Sequence, residues 1–244
     1  MNGKQIRLRR LSANNRYLIV PMDHGVTTDD IGPLSDFLHT AGEIINGGAT
    51  AIIVHKGMVC HLPVLNDVGL IVHMSASTEL YNEVKKVLVC SVKEAISLGA
   101  DAVSVHVNLG NDYEKEMLED FSKVSSDCRT YQIPLLAMMY IRDNNNKDIS
   151  TPQDIRHAIR IATELGADIV KISAKCDSET LSEIVKDSLI PVVVAGGEIK
   201  EKEAFLCRTE QYMKSGIDGI CYGRNVFFSN KIKNFLFDLK KVVI

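Results

Sequence analysis

The sequence predicts an α/β fold, a single (β/α)8 TIM barrel with a short N-terminal helix, and three observations carry that expectation. Eight short runs rich in Val and Ile recur along the 244 residues. Runs that are apolar on both faces suit parallel strands covered by helices. Four times the passage from helix to strand is written in nearly the same way: Gly48-Ala49-Thr50, Gly99-Ala100-Asp101, Gly166-Ala167-Asp168 and Gly216-Ile217-Asp218. Glycine tolerates the left-handed backbone that follows a helix C-terminus. Finally, no GxGxxG turn follows the first run, which disfavours the doubly wound open sheet.

The strands are expected at 17–22, 50–55, 69–74, 102–107, 135–140, 169–172, 191–195 and 219–222. Helices are expected near 34–46, 91–98, 111–131, 152–165, 177–187, 200–215 and 230–241. Thr151-Pro152 is a good helix start, an N-cap followed by a proline whose missing N–H costs nothing. The second crossover, around 57–66, is short and broken by Pro63. No linker or low-complexity stretch divides the chain, so residues 1–244 are expected to form one domain.

Composition narrows the function classes. A net charge of −3 and a pI near 6.2 leave no electrostatic case for nucleic acid. The one basic cluster, Lys4, Arg7, Arg9 and Arg10, accompanies Ile6, Leu8 and Leu11 and reads as the solvated face of a terminal helix. Cysteines 60, 90, 128, 176, 207 and 221 form no CxxC pair. They read as reduced thiols, mostly buried. No apolar run approaches the roughly 20 residues that span a bilayer, and the basic N-terminus lacks a signal peptide's apolar segment. A cytoplasmic location and no membrane partner are expected.

Ionisable residues gather at one end of the predicted strands. The carboxyl ends read Asp23-His24-Gly25, His55-Lys56-Gly57, His73-Met74-Ser75, His106-Val107-Asn108, Tyr140-Ile141-Arg142, Lys171-Ile172-Ser173, Gly196-Gly197 and Gly223-Arg224-Asn225. The opposite ends carry turn formers. Packing requires no such lopsidedness, and barrel enzymes build their sites at the carboxyl rim. Lys171 closes an apolar run, where a paired or snorkelling charge is the ordinary reading. Alternatively, burial disfavours its ammonium form and frees an amine that attacks carbonyl carbon. Tyr140, one strand away, suits proton transfer, and equally suits a core tyrosine with a satisfied hydroxyl. Asp23 is a candidate base, or a partner for Lys56. The glycines of the last two strand ends allow backbone N–H groups to approach a phosphate, with Arg224 as a charged contact. His55, His73 and His106 end consecutive strands and raise the alternative of a metal-dependent aldolase.

These segments together resemble the DeoC/FbaB class I aldolases. The matches include Val20-Pro21-Met22-Asp23-His24-Gly25-Val26, Val68-Gly69-Leu70-Ile71-Val72-His73, Ala137-Met138-Met139-Tyr140, Asp168-Ile169-Val170-Lys171 and Val194-Ala195-Gly196-Gly197, in order over nearly the whole chain. Within that family the chain is most similar to the branch of 2-amino-3,7-dideoxy-D-threo-hept-6-ulosonate synthases. The resemblance implies Lys171 as Schiff-base nucleophile, Tyr140 as proton donor and Asp23 as proton acceptor. It implies Thr27, Arg142, Ser173, Gly196, Gly197, Gly223 and Arg224 around a phosphorylated keto sugar, with His24, Lys56 and His106 in support. It further implies an aldehyde acceptor, L-aspartate semialdehyde, a homo-oligomer, and neither cofactor nor metal. A fructose-bisphosphate aldolase of the same family and a non-catalytic sugar-phosphate-binding barrel are the other readings. The chain departs from the family pattern at Ala174-Lys175-Cys176, Ser75-Ala76-Ser77-Thr78 and Cys60, in loops that choose the substrate.

Overall fold

The computed structural model describes residues 2–80, 84–197 and 201–244. The strands are β1 (Tyr17–Pro21), β2 (Ala51–His55), β3 (Gly69–His73), β4 (Ser75–Ala76), β5 (Val87–Leu88), β6 (Ala102–Leu109), β7 (Leu135–Ile141), β8 (Ile169–Ile172), β9 (Val192–Ala195) and β10 (Gly219–Cys221). All but β4 and β5 close a parallel barrel in the order β1-β10-β9-β8-β7-β6-β3-β2. Each of the eight expected strands is present. The helices are α1 (Gly3–Arg10), α2 (Phe37–Gly47), α3 (Val92–Ser97), α4 (Glu114–Tyr131), α5 (Pro152–Glu164), α6 (Ser178–Val185), α7 (Lys202–Lys214), α8 (Arg224–Phe227) and α9 (Ile232–Val243). The crossover after β2 is only a 3-10 turn, Lys56–His61.

The repeated glycine turns do a common job. Gly48, Gly99, Gly166 and Gly216 all have φ between +87° and +96°, where a Cβ is strained. The residue two positions later then clamps the neighbouring strand. Thr50 Oγ1 accepts from Leu18 N at 2.9 Å. Asp101, Asp168 and Asp218 accept from Leu70, Leu135 and Val192 N at 3.0, 2.9 and 2.8 Å. Strand register is therefore pinned at the amino end of the barrel by side chains as well as by the ladder.

The barrel interior is filled by Ile19, Ile53, Ile71, Leu136, Met138 and Val193 with their neighbours. Leu8 and Leu11 pack on this layer from below, and Leu11 is fully buried, a burial that stabilises by about 1.5–3 kcal/mol. Here the structure corrects the reading of the basic cluster as a solvated face. Lys4 pairs with Asp168 at 3.0 Å and Arg10 with Asp101 at 2.6 Å. Arg7 Nη1 donates to Ala100 O at 3.0 Å. These carboxylates already hold strand amides, so α1 is drawn across the barrel's lower mouth as a plug.

Two elements were not anticipated. The β4–β5 ribbon pairs Ser75 with Leu88 and Ala76 with Val87 in the loop after β3, and α8 is a single turn after β10. All six cysteines are free. Only Cys90, Cys128 and Cys221 are buried, while Cys60 and Cys207 are exposed, fewer inside than expected. Among the described residues no helix is long and apolar enough to cross a membrane.

Candidate active site

A cavity of about 920 Å3 opens at the carboxyl ends of the strands. Its floor follows from strand alternation. Lys171 lies beside Met138 of β7 and Val193 of β9, both interior residues, so its side chain enters the barrel. It is 7% exposed. The same two-residue period carries His55, His73, His106 and Tyr140 inward above Ile53, Ile71, Ser104 and Met138, and all four line the cavity.

Around Lys171 the charges are coupled. Its amine donates a hydrogen bond to the Tyr140 hydroxyl and feels Cys221 and the Asp23 carboxylate. Burial is the largest influence and opposes the ammonium, yet Cys221, Tyr140 and Asp23 outweigh it and raise the pKa above the ordinary lysine value. The Cys221 thiol is itself pushed up to about 11 by burial. The direction is opposite to the one expected from burial alone. Burial alone depresses a lysine, whereas burial beside a carboxylate does not.

Asp23 is buried too, which opposes its ionisation. His73, His24, Lys171 and His55 overcome that and lower it to about 2. Its oxygens lie 3.7 Å from His24 Nδ1 and 3.7 Å from His73 Nε2. His73 Nδ1 faces Ser104 Oγ at 2.8 Å, so a neutral ring accepts from the serine and presents Nε2–H to Asp23. Burial pushes His73 down to about 4. His106 is also pushed well down, chiefly by burial; its Nε2 meets Asn108 Oδ1 at 2.8 Å, and its ring lies 4.7 Å from that of Tyr140. Asn108 Nδ2 in turn donates to Val84 O at 2.6 Å. The three strand-end histidines are thus committed to separate partners or left apart. Among the described residues no three His, Cys, Asp or Glu side chains form a group that could hold a metal ion.

One wall is the stretch from which an anion cradle was expected. Gly196 and Gly197 line it with Arg224. Gly197 has φ +67°, and a Cβ on Gly196 would come within 3.1 Å of Asn225 Nδ2. Arg208 Nη2 donates to Gly196 O at 2.7 Å, tying α7 to this loop. Thr27, Arg142, Ser173, His24 and His106 also border the cavity. Arg142 lies over the Tyr140 ring, 5.6 Å from its centroid, and donates to Asn146 O at 2.8 Å.

Two expected residues do not reach the cavity. Lys56 follows inward-pointing His55, so alternation turns it outward. It pairs with Glu94 at 3.1 Å and is no partner for Asp23. Gly223 is packed beneath the rim, where a Cβ would sit 2.6 Å from His24 Cε1 and 2.9 Å from Pro21 O. Its role is to let β1 and the β10 end approach. Lys175, on the loop after β8, is paired with Asp148 at 2.9 Å. Sequence reasoning missed Lys86, Glu79 and Arg208, all of which line the cavity. The first two belong to the loop spanning β4 and β5, and no strand-end pattern marks them.

The chain matches the DeoC/LacD family of aldolases over residues 17–229. It is 43% identical over 233 residues to 2-amino-3,7-dideoxy-D-threo-hept-6-ulosonate synthase 1 of Archaeoglobus fulgidus, covering 94% of this chain and 86% of that one. It is 33% identical to the class 1 fructose-bisphosphate aldolase of Thermoproteus tenax, over 90% of this chain and 86% of the relative. A solved structure of a Schiff-base-forming fructose-1,6-bisphosphate aldolase matches it with a TM-score of 0.90 at 30% identity, covering 100% of both chains. With a closed eight-stranded barrel, a buried strand-end lysine and these relatives, the chain belongs to the DeoC/LacD aldolase family and is a class I, Schiff-base-forming, aldolase-type enzyme.

Proposed function

We propose that Lys171 forms a Schiff base with a phosphorylated keto sugar and passes the resulting enamine to an aldehyde, L-aspartate semialdehyde. The observation that carries this reading is the buried Lys171 amine, hydrogen-bonded to Tyr140 and within the field of Asp23, on the floor of a cavity with a glycine-rich cradle in its wall. The donor phosphate sits on Gly196, Gly197 and Arg224. The Lys171 proton passes by way of the Tyr140 hydroxyl to the ketone oxygen as Nζ attacks the ketone carbon, giving the carbinolamine. Tyr140 supplies the proton with which the carbinolamine oxygen leaves as water. The iminium draws electrons from the adjacent C–C bond; Asp23, ionised across the physiological range, takes the proton of the hydroxyl on the carbon released and stabilises the cation. The enamine then adds to the acceptor aldehyde, and hydrolysis frees Lys171.

Kinship supports the acceptor, since relatives at 43% and 35% identity are named as this synthase. A cytoplasmic homo-oligomer is part of the same reading and rests on that kinship alone. The test is reduction with borohydride in the presence of dihydroxyacetone phosphate. The adduct mass is expected on the Lys171 peptide and is expected to vanish in Lys171→Ala; an adduct that persists in the variant overturns the assignment. The second reading, a fructose-bisphosphate aldolase, is favoured by the 0.90 TM-score to such an enzyme. Cleavage of fructose 1,6-bisphosphate at a rate matching synthesis from aspartate semialdehyde would favour it.

A further inference from the structure

Arg208 has no part in the chemistry above, yet it lines the cavity from α7. Phe205 and Tyr212 lie three residues before it and four after it on the same helix, and so share its face. The guanidinium carbon lies 5.0 Å from the Phe205 ring centroid and 5.8 Å from that of Tyr212, and both rings attract the cation. Tyr212 is fixed in turn, its hydroxyl donating to Ala174 O in the loop after β8 at 2.9 Å. Among the described residues the guanidinium makes one hydrogen bond, from Nη2 to Gly196 O at 2.7 Å, and its Nε is buried with no partner. That single bond is short and charge-assisted. The Asn225 amide reaches the same carbonyl at 3.5 Å and that of Gly197 at 3.4 Å, at the outer limit of hydrogen bonding. Arg208 therefore dominates the orientation of the Gly196 carbonyl.

The geometry points to Arg208 as a positioning residue for the donor phosphate, acting through the Gly196–Gly197 peptide. It rests on the reading of that wall as the seat of a phosphorylated donor. In a trans peptide the C=O and the following N–H point in opposite directions. Holding the Gly196 carbonyl toward α7 thus turns the Gly197 N–H away from the helix, to the barrel side. Glycine flanks this peptide on both sides, with Gly197 at φ +67°. The absence of Cβ atoms lets an anion come close, and it also leaves the peptide free to rotate. Turned over, the peptide would present a carbonyl oxygen to the phosphate and repel it. Arg208 removes that freedom, and its charge offsets the partial negative charge of the carbonyl it holds. The slot between Phe205 and Tyr212 keeps the guanidinium plane in place, so the restraint is built before the donor arrives.

The experiment follows borohydride trapping on Lys171 against donor concentration, with dihydroxyacetone phosphate and with unphosphorylated dihydroxyacetone. Arg208→Met is expected to raise the half-saturating concentration of the phosphorylated donor about tenfold, as loss of one charge-assisted hydrogen bond implies. For dihydroxyacetone the change is expected to be less than about twofold, with the maximal extent of trapping kept for both donors. Arg208→Lys keeps a cation but loses the planar fork that the two rings hold, and is expected to show the same split to a smaller degree. The unphosphorylated donor doubles as the control for folding. Equal changes for the two donors, or none for either, would overturn the role. A crystal structure of Arg208→Met with inorganic phosphate is expected to show the Gly196 carbonyl turned from its wild-type direction; an unmoved peptide with weakened phosphate would also overturn it, because Arg208 would then act by charge alone. Arg224→Met separates the layers. Weakened phosphorylated donor in Arg224→Met but not in Arg208→Met sinks only the positioning role, and no weakening in either sinks the phosphate seat with it. No adduct on wild-type Lys171 with either donor sinks the Schiff-base reading beneath both.

Discussion

The titration of His73 bears directly on stability. The residue is 5% exposed, and burial holds its imidazole at about 4 against an ordinary 6.5. The unfolded chain takes up that proton near pH 6.5, whereas the folded chain resists until about pH 4. A depressed folded value means the contribution is complete above 6.5 and is lost as pH falls through that window. Between pH 7 and pH 4 the loss from this one side chain is about 3 kcal/mol. His73→Asn keeps a group that can accept from the Ser104 hydroxyl but cannot titrate. Its packing loss is the same at both pH values and cancels in the comparison. Urea unfolding at pH 7 and at pH 4 is the assay. Wild type is expected to lose about 3 kcal/mol more than the variant over that interval, and a proton NMR titration should place the His73 ring near 4. Equal losses in the two proteins would refute the burial argument.

Four other outcomes follow from the geometry. Tyr140→Phe removes the hydroxyl bonded to Lys171 and is expected to lower kcat about 10²- to 10⁴-fold in the steady-state cleavage assay. Because its surroundings raise the Lys171 pKa, the single-turnover rate of imine formation is expected to climb from neutral to alkaline pH, and a flat profile would contradict the raised Lys171. Asp168→Ala takes away both the Leu135 N–H acceptor and the Lys4 partner, an expected cost of about 2 kcal/mol in urea unfolding. Gly219→Ala places a methyl 2.1 Å from Tyr17 O across the β1–β10 pair, and soluble folded protein is expected to be lost.

Much of the barrel is legible because its signals are local. The glycine before each strand answers to a positive φ, and the Asp or Thr that follows answers to an amide on the next strand, so one short motif repeats wherever the same turn is built. The rim residues are legible for a related reason: a strand of known direction and a two-residue period decide which side chains reach the mouth. That logic finds Lys171, Tyr140, His73 and His106. It also shows why Lys56 fails, since the residue after inward His55 has to face out, where Glu94 meets it. The β4–β5 ribbon was invisible because two-residue strands carry no periodicity.

Direction and spacing along the chain thus settle which side chains enter the cavity, because both are properties of the backbone. Charge state and partnership are not. Burial alone would depress the Lys171 pKa, and it is raised because Cys221 and Tyr140, and after them Asp23 from 148 positions away, meet it inside the ring. Likewise Lys4 and Arg10 become struts only where Asp168 and Asp101 wait below the strands. Electrostatic energy depends on distance through space, and only the closed ring of strands establishes those distances.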